Sequence, residues 1–288
     1  MKINQVLFLT RSTFTILFAL LFLSKVSKAQ EVFLYKEVGT TQLFMEVLYP
    51  EQLDTSKSYP ALVFFFGGGW VGGTRAHFEH QAAYFAKRGL VCFLVDYRTK
   101  NQHDTSPFES LKDAKSAIRY VRTNAGKFHI DPDRIIAAGG SAGGHLAAAT
   151  ALIENFNDNT DNLNNSPIPN ALVLFNPVID NGPGGYGFER IGKEYKDFSP
   201  LHNIKVGVPP TLFLLGTKDN LVPTVTAEYY QMASEKVGSR CDLLLYEGQP
   251  HGFFNYANFE YYKMTVQATD DFLQSLGYLQ KEPLVKIE

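Results

Sequence analysis

The sequence has little of what would assign it to several large functional classes. Of 288 residues only two are cysteine, Cys92 and Cys241, too few for a disulfide framework. Cys92 lies inside the apolar run Leu90-Val91-Cys92-Phe93-Leu94-Val95, where a small buried hydrophobe is expected. Cys241 opens a separate strand-like run far across the expected sheet, so no bond between the two is expected. A cysteine nucleophile is not expected either, because neither residue sits in a turn beside a base. The formal net charge is −2 and no basic cluster occurs, so nothing draws a nucleic acid electrostatically. The glycine-rich stretch near residue 68 lacks the Gly-Lys-Ser/Thr ending of a phosphate-binding loop, and no propeller-type repeat is present. Nothing calls for a cofactor or a metal.

The first thirty residues differ from the rest. Lys2 and Arg11 flank or precede the ten-residue apolar run 14–23, and Ser27-Lys28-Ala29 offers small residues at both specificity positions of a cleavage site. This is the pattern of a signal peptide cut after Ala29. The run is short against the roughly 20 residues that span a bilayer, and no cysteine lies near the cut to carry a lipid. A secreted or periplasmic protein with no stable membrane anchor is expected, consisting of leader 1–29 and one domain, 30–288. Oligomeric state is not legible.

Past the leader, alternating runs at 31–38 and 42–49 joined by Gly39-Thr40-Thr41 read as a hairpin. From residue 61 onward apolar runs bounded by turn residues alternate with helical stripes. Strands are expected at 61–66, 90–98, 135–140, 171–176, 211–215 and 241–246. Helices are expected at 77–88, 110–124, after Ser141, at 224–237 and at 259–276, with a turn at 130–133 and a surface loop at 155–170. Such alternation implies a mostly parallel, twisted sheet of about eight strands with helices on both faces. In such sheets chemistry collects at the carboxyl ends of the strands.

Those ends carry the informative residues. Gly139-Gly140-Ser141-Ala142-Gly143 lies between an apolar run and an Ala-rich helix, a Gly-x-Ser-x-Gly elbow whose glycines permit the close packing of a strained turn. A serine hydroxyl needs a base within hydrogen-bond reach, usually a histidine oriented by a carboxylate. Of seven histidines, His251 stands in a loop just past the last strand, His145 is expected to pack within the elbow helix, and the other five, His77 among them, are expected at the surface. Asp219, directly after the 211–215 strand, is the best orienting acid, with Asp180 as the alternative; Asp96 suits a structural ion pair. Gly67-Gly68-Gly69 follows the 61–66 strand. Bare backbone there presents the N–H groups of Gly68 and Gly69, which with Ala142 N–H after the serine would hold a developing oxyanion.

These motifs resemble the α/β-hydrolases, and within them the hormone-sensitive-lipase-type esterases and the related bacterial acetylxylan and feruloyl esterases. Phe66-Gly67-Gly68-Gly69-Trp70 is similar to their His-Gly-Gly-Gly loop, Gly139 to Leu146 resembles their elbow, and Ser141, Asp219, His251 follow in their order. The resemblance implies the α/β-hydrolase fold and a serine carboxylesterase. Two positions depart from it: Phe66 stands for the histidine, so packing must steady the loop, and Gly140 stands where an acid is usual. Residues 30–66 leave no room for a helical cap, so an open site is expected.

The expected substrates are esters of short acyl groups, acetyl first, on a small molecule or a polysaccharide. Trp70, Tyr186 and Phe188 are candidate substrate contacts, the last two from the aromatic-rich segment 181–199; the alternative is ordinary loop packing for that segment and a loop anchor for Trp70. Rival readings are a feruloyl esterase, an amide-cleaving member of the fold, and a non-catalytic binding protein on the same scaffold.

Overall fold

Eight runs of extended chain form one sheet in the computed structural model, which describes residues 31–288; the expected leader 1–29 lies outside the described residues. The strands are β1 (Glu31–Val38), β2 (Thr41–Leu48), β3 (Tyr59–Phe65), β4 (Val91–Val95), β5 (Ile130–Gly140), β6 (Ala171–Phe175), β7 (Thr211–Gly216) and β8 (Cys241–Tyr246), in spatial order β1-β2-β4-β3-β5-β6-β7-β8. β1 and β2 form the expected antiparallel hairpin and β2 pairs antiparallel with β4; every pairing from β4 to β8 is parallel. Cys92 and Cys241 are free and buried on β4 and β8, five strands apart in that order.

Among the described residues the five long helices are α1 (Glu79–Lys87), α2 (Pro107–Thr123), α3 (Ala142–Leu152), α4 (Thr224–Lys236) and α5 (Phe259–Ser275). Side chains alternate across the sheet, and the core divides accordingly. Val63 and Phe65 of β3 pack with Leu111, Ala114 and Ile118 of α2 and Leu146 of α3 on one face. Leu62 and Phe64 pack with Ala82 and Phe85 of α1 and Val266 and Leu273 of α5 on the other. Each fully buried leucine, isoleucine or phenylalanine contributes about 1.5–3 kcal/mol, so the period-two and period-3.6 patterns in the sequence are the main determinants of this arrangement.

Three local differences from the sequence reading have physical causes. α2 begins at Pro107, not 110, because Ser106 caps it and Glu109 accepts the Ser106 N–H at 3.1 Å, a capping box with proline at the first helical position that apolar periodicity overlooks. The 130–133 turn is instead the start of β5, where Ile130 sits opposite Tyr59 before the register shifts to Ala61 opposite Ile135; the bulge accommodates Pro132, which has no N–H for the ladder. Residues 75–78 form a separate 3-10 turn ahead of α1, which turns His77 toward the sheet top. Among the described residues no helix is long and apolar enough to cross a membrane.

His145 of α3 is fully buried, stacked on Phe198 with ring centroids 4.4 Å apart and with Nε2 3.0 Å from Phe198 O. It thus packs within the fold, as its place in the elbow helix suggested. Burial pushes its imidazole down to about 3, whereas an unfolded histidine titrates near 6.5. Between those values the unfolded chain holds a proton that the folded ring refuses, so stability is lost as pH falls from about 6.5 toward 3. The expected slope from this group is up to about 1.4 kcal/mol per pH unit. Chemical denaturation at several pH values should show a shallower acid dependence for His145→Phe than for the parent; an equal slope would contradict the assignment.

Candidate active site

The strand-to-helix turn at Ser141 is a tight one. Ser141 has φ 54° and ψ −120°, a backbone conformation that costs a non-glycine residue about 1–3 kcal/mol. Backbone hydrogen bonds oppose that cost: Ser141 N–H donates to Phe175 O at 3.0 Å, and Ser141 O accepts from His145 at 3.0 Å and Val178 at 3.1 Å. The glycines are needed for approach. A Cβ at Gly143 would collide with the backbone carbonyls of Phe65 and Phe66, and one at Gly139 with the backbone of Gly143. A Cβ at Gly140 would lie 2.5 Å from the Phe254 ring. The acid that usually occupies the Gly140 position has no space here, because an aromatic ring fills it.

The turn brings Ser141 Oγ 2.8 Å from His251 Nε2, and His251 Nδ1 lies 2.7 Å from Asp219 Oδ2. A carboxylate only accepts, so Nδ1 carries the proton and Nε2 is free to accept from the serine hydroxyl. The Asp219 side chain is fully buried, and its Oδ1 accepts the N–H groups of Leu221 at 2.8 Å and Val222 at 2.9 Å. Three hydrogen bonds therefore fix the carboxylate's orientation. Asp180, the alternative acid, instead receives Gly182 N–H at 2.9 Å and has no contact with His251. Asp96 is in a structural ion pair, with Arg75 at 2.5 Å, while the neighbouring Arg98 pairs with Asp113 at 2.8 Å.

The glycine loop closes the other side. Gly68 has φ 126°, Gly69 φ 63° and Trp70 φ 59°, and a Cβ at Gly68 would strike Gly72 O. Among the described residues, nothing accepts a hydrogen bond from the N–H groups of Gly68, Gly69 or Ala142. Phe66 stacks on Tyr97 with centroids 4.0 Å apart, and Tyr97 Oη donates to Phe66 O at 2.8 Å. Packing and a borrowed hydroxyl thus do the work of the missing histidine. Arg190 donates to Gly69 O and lies over the rings of Trp70 and Tyr186, tying the loop to the 181–199 segment.

Between these groups lies a hollow of about 270 Å³ whose lining includes Gly67 to Gly69, Ser141, His251, Tyr186, Leu221 and Phe254, together with His77, Asn176 and Asn255. Larger hollows, one beside Glu46, Arg75 and Asp96 and another beside Lys87, Arg88 and Pro283, contain no serine–histidine pair. The His251 side chain is 22% exposed, in keeping with the expected open site. Among the described residues no cluster of three or more histidine, cysteine or acidic side chains could hold a metal ion.

Comparison with known proteins is consistent with this geometry. The BD-FAE family model matches residues 45–183. An acetylxylan esterase from Xylanibacter ruminicola is 27% identical over 252 residues, which is 82% of this chain and 49% of that esterase, so the chain spans about half its length. The structure of Thermogutta terrifontis esterase 2 phosphorylated by paraoxon is 39% identical with a TM-score of 0.84, covering 89% of this chain and 97% of that one. The propionate-bound form of the same esterase is 38% identical with a TM-score of 0.84, covering 90% and 98%. The chain belongs to the α/β-hydrolase esterases.

Within this α/β-hydrolase the candidate substrate contacts separate. Tyr186 lines the hollow. Trp70 does not: it is 1% exposed, edge-on to His145 and Phe198, an anchor for the glycine loop. Phe188, partly exposed, packs on Tyr195 in a chain of short helical turns covering 188–198 and does not line the hollow. His77 is not a free surface residue either; it is partly buried and accepts the Gly67 N–H at 3.0 Å. Asn176 is a further site residue: fully buried, with Nδ2 3.3 Å from His251 Nε2 and Oδ1 accepting Gly252 N–H at 3.0 Å. Its position directly after β6 is the signal that could have marked it.

Gly69 and Tyr186 are in direct apposition, since a Cβ on Gly69 would strike the Tyr186 hydroxyl. Gly69→Ala should therefore lose stability through both the clash and the left-handed backbone, the latter about 1–2 kcal/mol. Adding Tyr186→Phe should recover the clash component alone. Denaturation midpoints of the two single variants and the double variant test this, and a double variant no more stable than Gly69→Ala would refute the apposition.

Proposed function

We propose that this chain is an exported serine carboxylesterase that removes short acyl groups, acetyl foremost, from small or polymeric carbohydrate esters. The observation carrying the reading is the continuous hydrogen-bonded chain from Ser141 Oγ through His251 to the buried Asp219, facing a hollow bordered by unengaged glycine amides. In this mechanism His251 Nε2 takes the Ser141 proton as Oγ adds to the ester carbonyl. Gly68, Gly69 and Ala142 N–H groups hold the resulting oxyanion, a contribution worth about 2.7–4 kcal/mol per donor in comparable sites. The imidazolium, stabilised by Asp219, gives its proton to the departing alkoxide as the carbon–oxygen bond breaks. Water then attacks the acyl-serine, losing a proton to His251, and the collapse of that intermediate returns a proton to Oγ and frees the acid.

Several observations favour the finer parts of the reading. Leu221 and Phe254 give the roughly 270 Å³ hollow apolar walls, and propionate is bound in the similar esterase 2, which supports a short acyl group. That esterase is also phosphorylated by paraoxon, the behaviour of an activated nucleophile. The acetylxylan esterase relative supports a carbohydrate alcohol, and the open site gives a polymer access. Export rests on the leader 1–29.

Ser141→Ala should lower kcat on p-nitrophenyl acetate by about 10⁶ while keeping the parent denaturation midpoint, and should abolish labelling by a fluorophosphonate. Parent-like turnover by folded Ser141→Ala would overturn the mechanism. Acetate release from acetylated xylan should exceed hydroxycinnamate release from feruloylated xylan; the reverse order would reassign the acyl group.

A further inference from the structure

We infer that His77 is a positioning residue that clamps the oxyanion loop to the loop bearing His251. The inference rests on the serine-esterase reading of the same site and adds to it a residue outside the Ser141–His251–Asp219 chain.

Both ring nitrogens of His77 are engaged. Nδ1 accepts the Gly67 N–H at 3.0 Å, so it carries no proton. Nε2 lies 2.6 Å from Asn255 Oδ1. Asn255 is oriented by its own Nδ2, which donates to Gly252 O at 2.8 Å, so the atom facing His77 is an acceptor and Nε2 carries the proton. The imidazole is thereby held as one neutral tautomer, and burial, which lowers its pKa, favours the same form. A doubly protonated ring would turn an N–H toward the N–H of Gly67 and break the link.

The path Gly67–His77–Asn255–Gly252 joins two loops that the sheet itself keeps apart. Gly67 follows β3, while His251 and Gly252 follow β8, and three strands lie between β3 and β8 in the sheet. The rings of Phe78 and Phe254 lie beside the imidazole with centroids 4.8 and 5.7 Å away, which limits its rotation. At the far end, Gly252 is held from its other side by Asn176. The distance between the oxyanion amides and the histidine that shuttles the proton is thus set through His77, and misplacement of such groups by about 1 Å can cost on the order of 10²-fold in rate.

A double-mutant cycle with p-nitrophenyl acetate tests the clamp. His77→Leu and Asn255→Ala should each lower kcat by about 10- to 100-fold with little change in KM. The double variant should be no worse than the poorer single one, because both break the same path. His77→Gln, which carries an acceptor and a donor on one planar group, should recover most of the loss. Denaturation midpoints establish that each variant is folded, and Asn255→Ala decides the matter should His77→Leu fail to fold. Parent-like kcat in a folded variant, or losses that simply multiply in the double variant, would overturn the clamp. Those outcomes leave the esterase reading intact, since that reading falls only if Ser141→Ala remains active.

Discussion

The contact on which the rest of this structure depends is the close approach of the Ser141 turn to the end of β3. Gly143 lies so near the Phe65 and Phe66 carbonyls that a methyl group has no room, and this brings the start of α3 directly beside the glycine loop. The same approach keeps Ser141 at φ 54° through backbone hydrogen bonds to β6 and to the residues that follow it. A strained residue persists only where its surroundings over-determine it. Here sheet pairing on both sides of β5 supplies that constraint, and the strained turn is what exposes the hydroxyl.

Around that contact, the remaining site groups are held by polar links between loops rather than by any single element. Asp219 is fixed by two backbone N–H groups, the glycine loop by Tyr97 and Arg190, and the His251 loop by Asn176 and Asn255. Loops at a sheet edge are intrinsically more mobile than strands. Cross-links of this kind give the proposed nucleophile, base and oxyanion donors a common frame, which reconciles an open site with a preorganised one.

Much of the fold was legible because burial dictates periodicity. Runs such as 61–65 and 171–175 are continuous because both faces of β3 and β6 are covered, and the α2 apolar stripe repeats at helical spacing because its other buried positions, Asp113, Lys115 and Arg119 among them, are polar. The misjudged boundaries lie where local chemistry overrides that pattern: a capping box at Ser106 and Glu109, a bulge at Ile130 to Ile135, a 3-10 turn at Arg75–Phe78. Phe188 and Trp70, left open between substrate contact and loop packing, were undecided for a different reason. An aromatic in a loop can face a ligand or its own core, and Phe198, His145 and Tyr195 were available as partners.

By itself the sequence determined the order of strands and helices, the elbow serine, and the short list from which Asp219 and His251 came, since backbone strain and strand-end position leave marks in glycine spacing and apolar runs. Only the tertiary structure decided that Asp219 rather than Asp180 meets His251, that Tyr186 reaches the hollow while Trp70 and Phe188 do not, and that His77 and Asn176 belong to the site. Those outcomes depend on contacts between loops distant in sequence, where a shift of about 1 Å makes or breaks a hydrogen bond. Residue spacing along the chain carries no record of such distances.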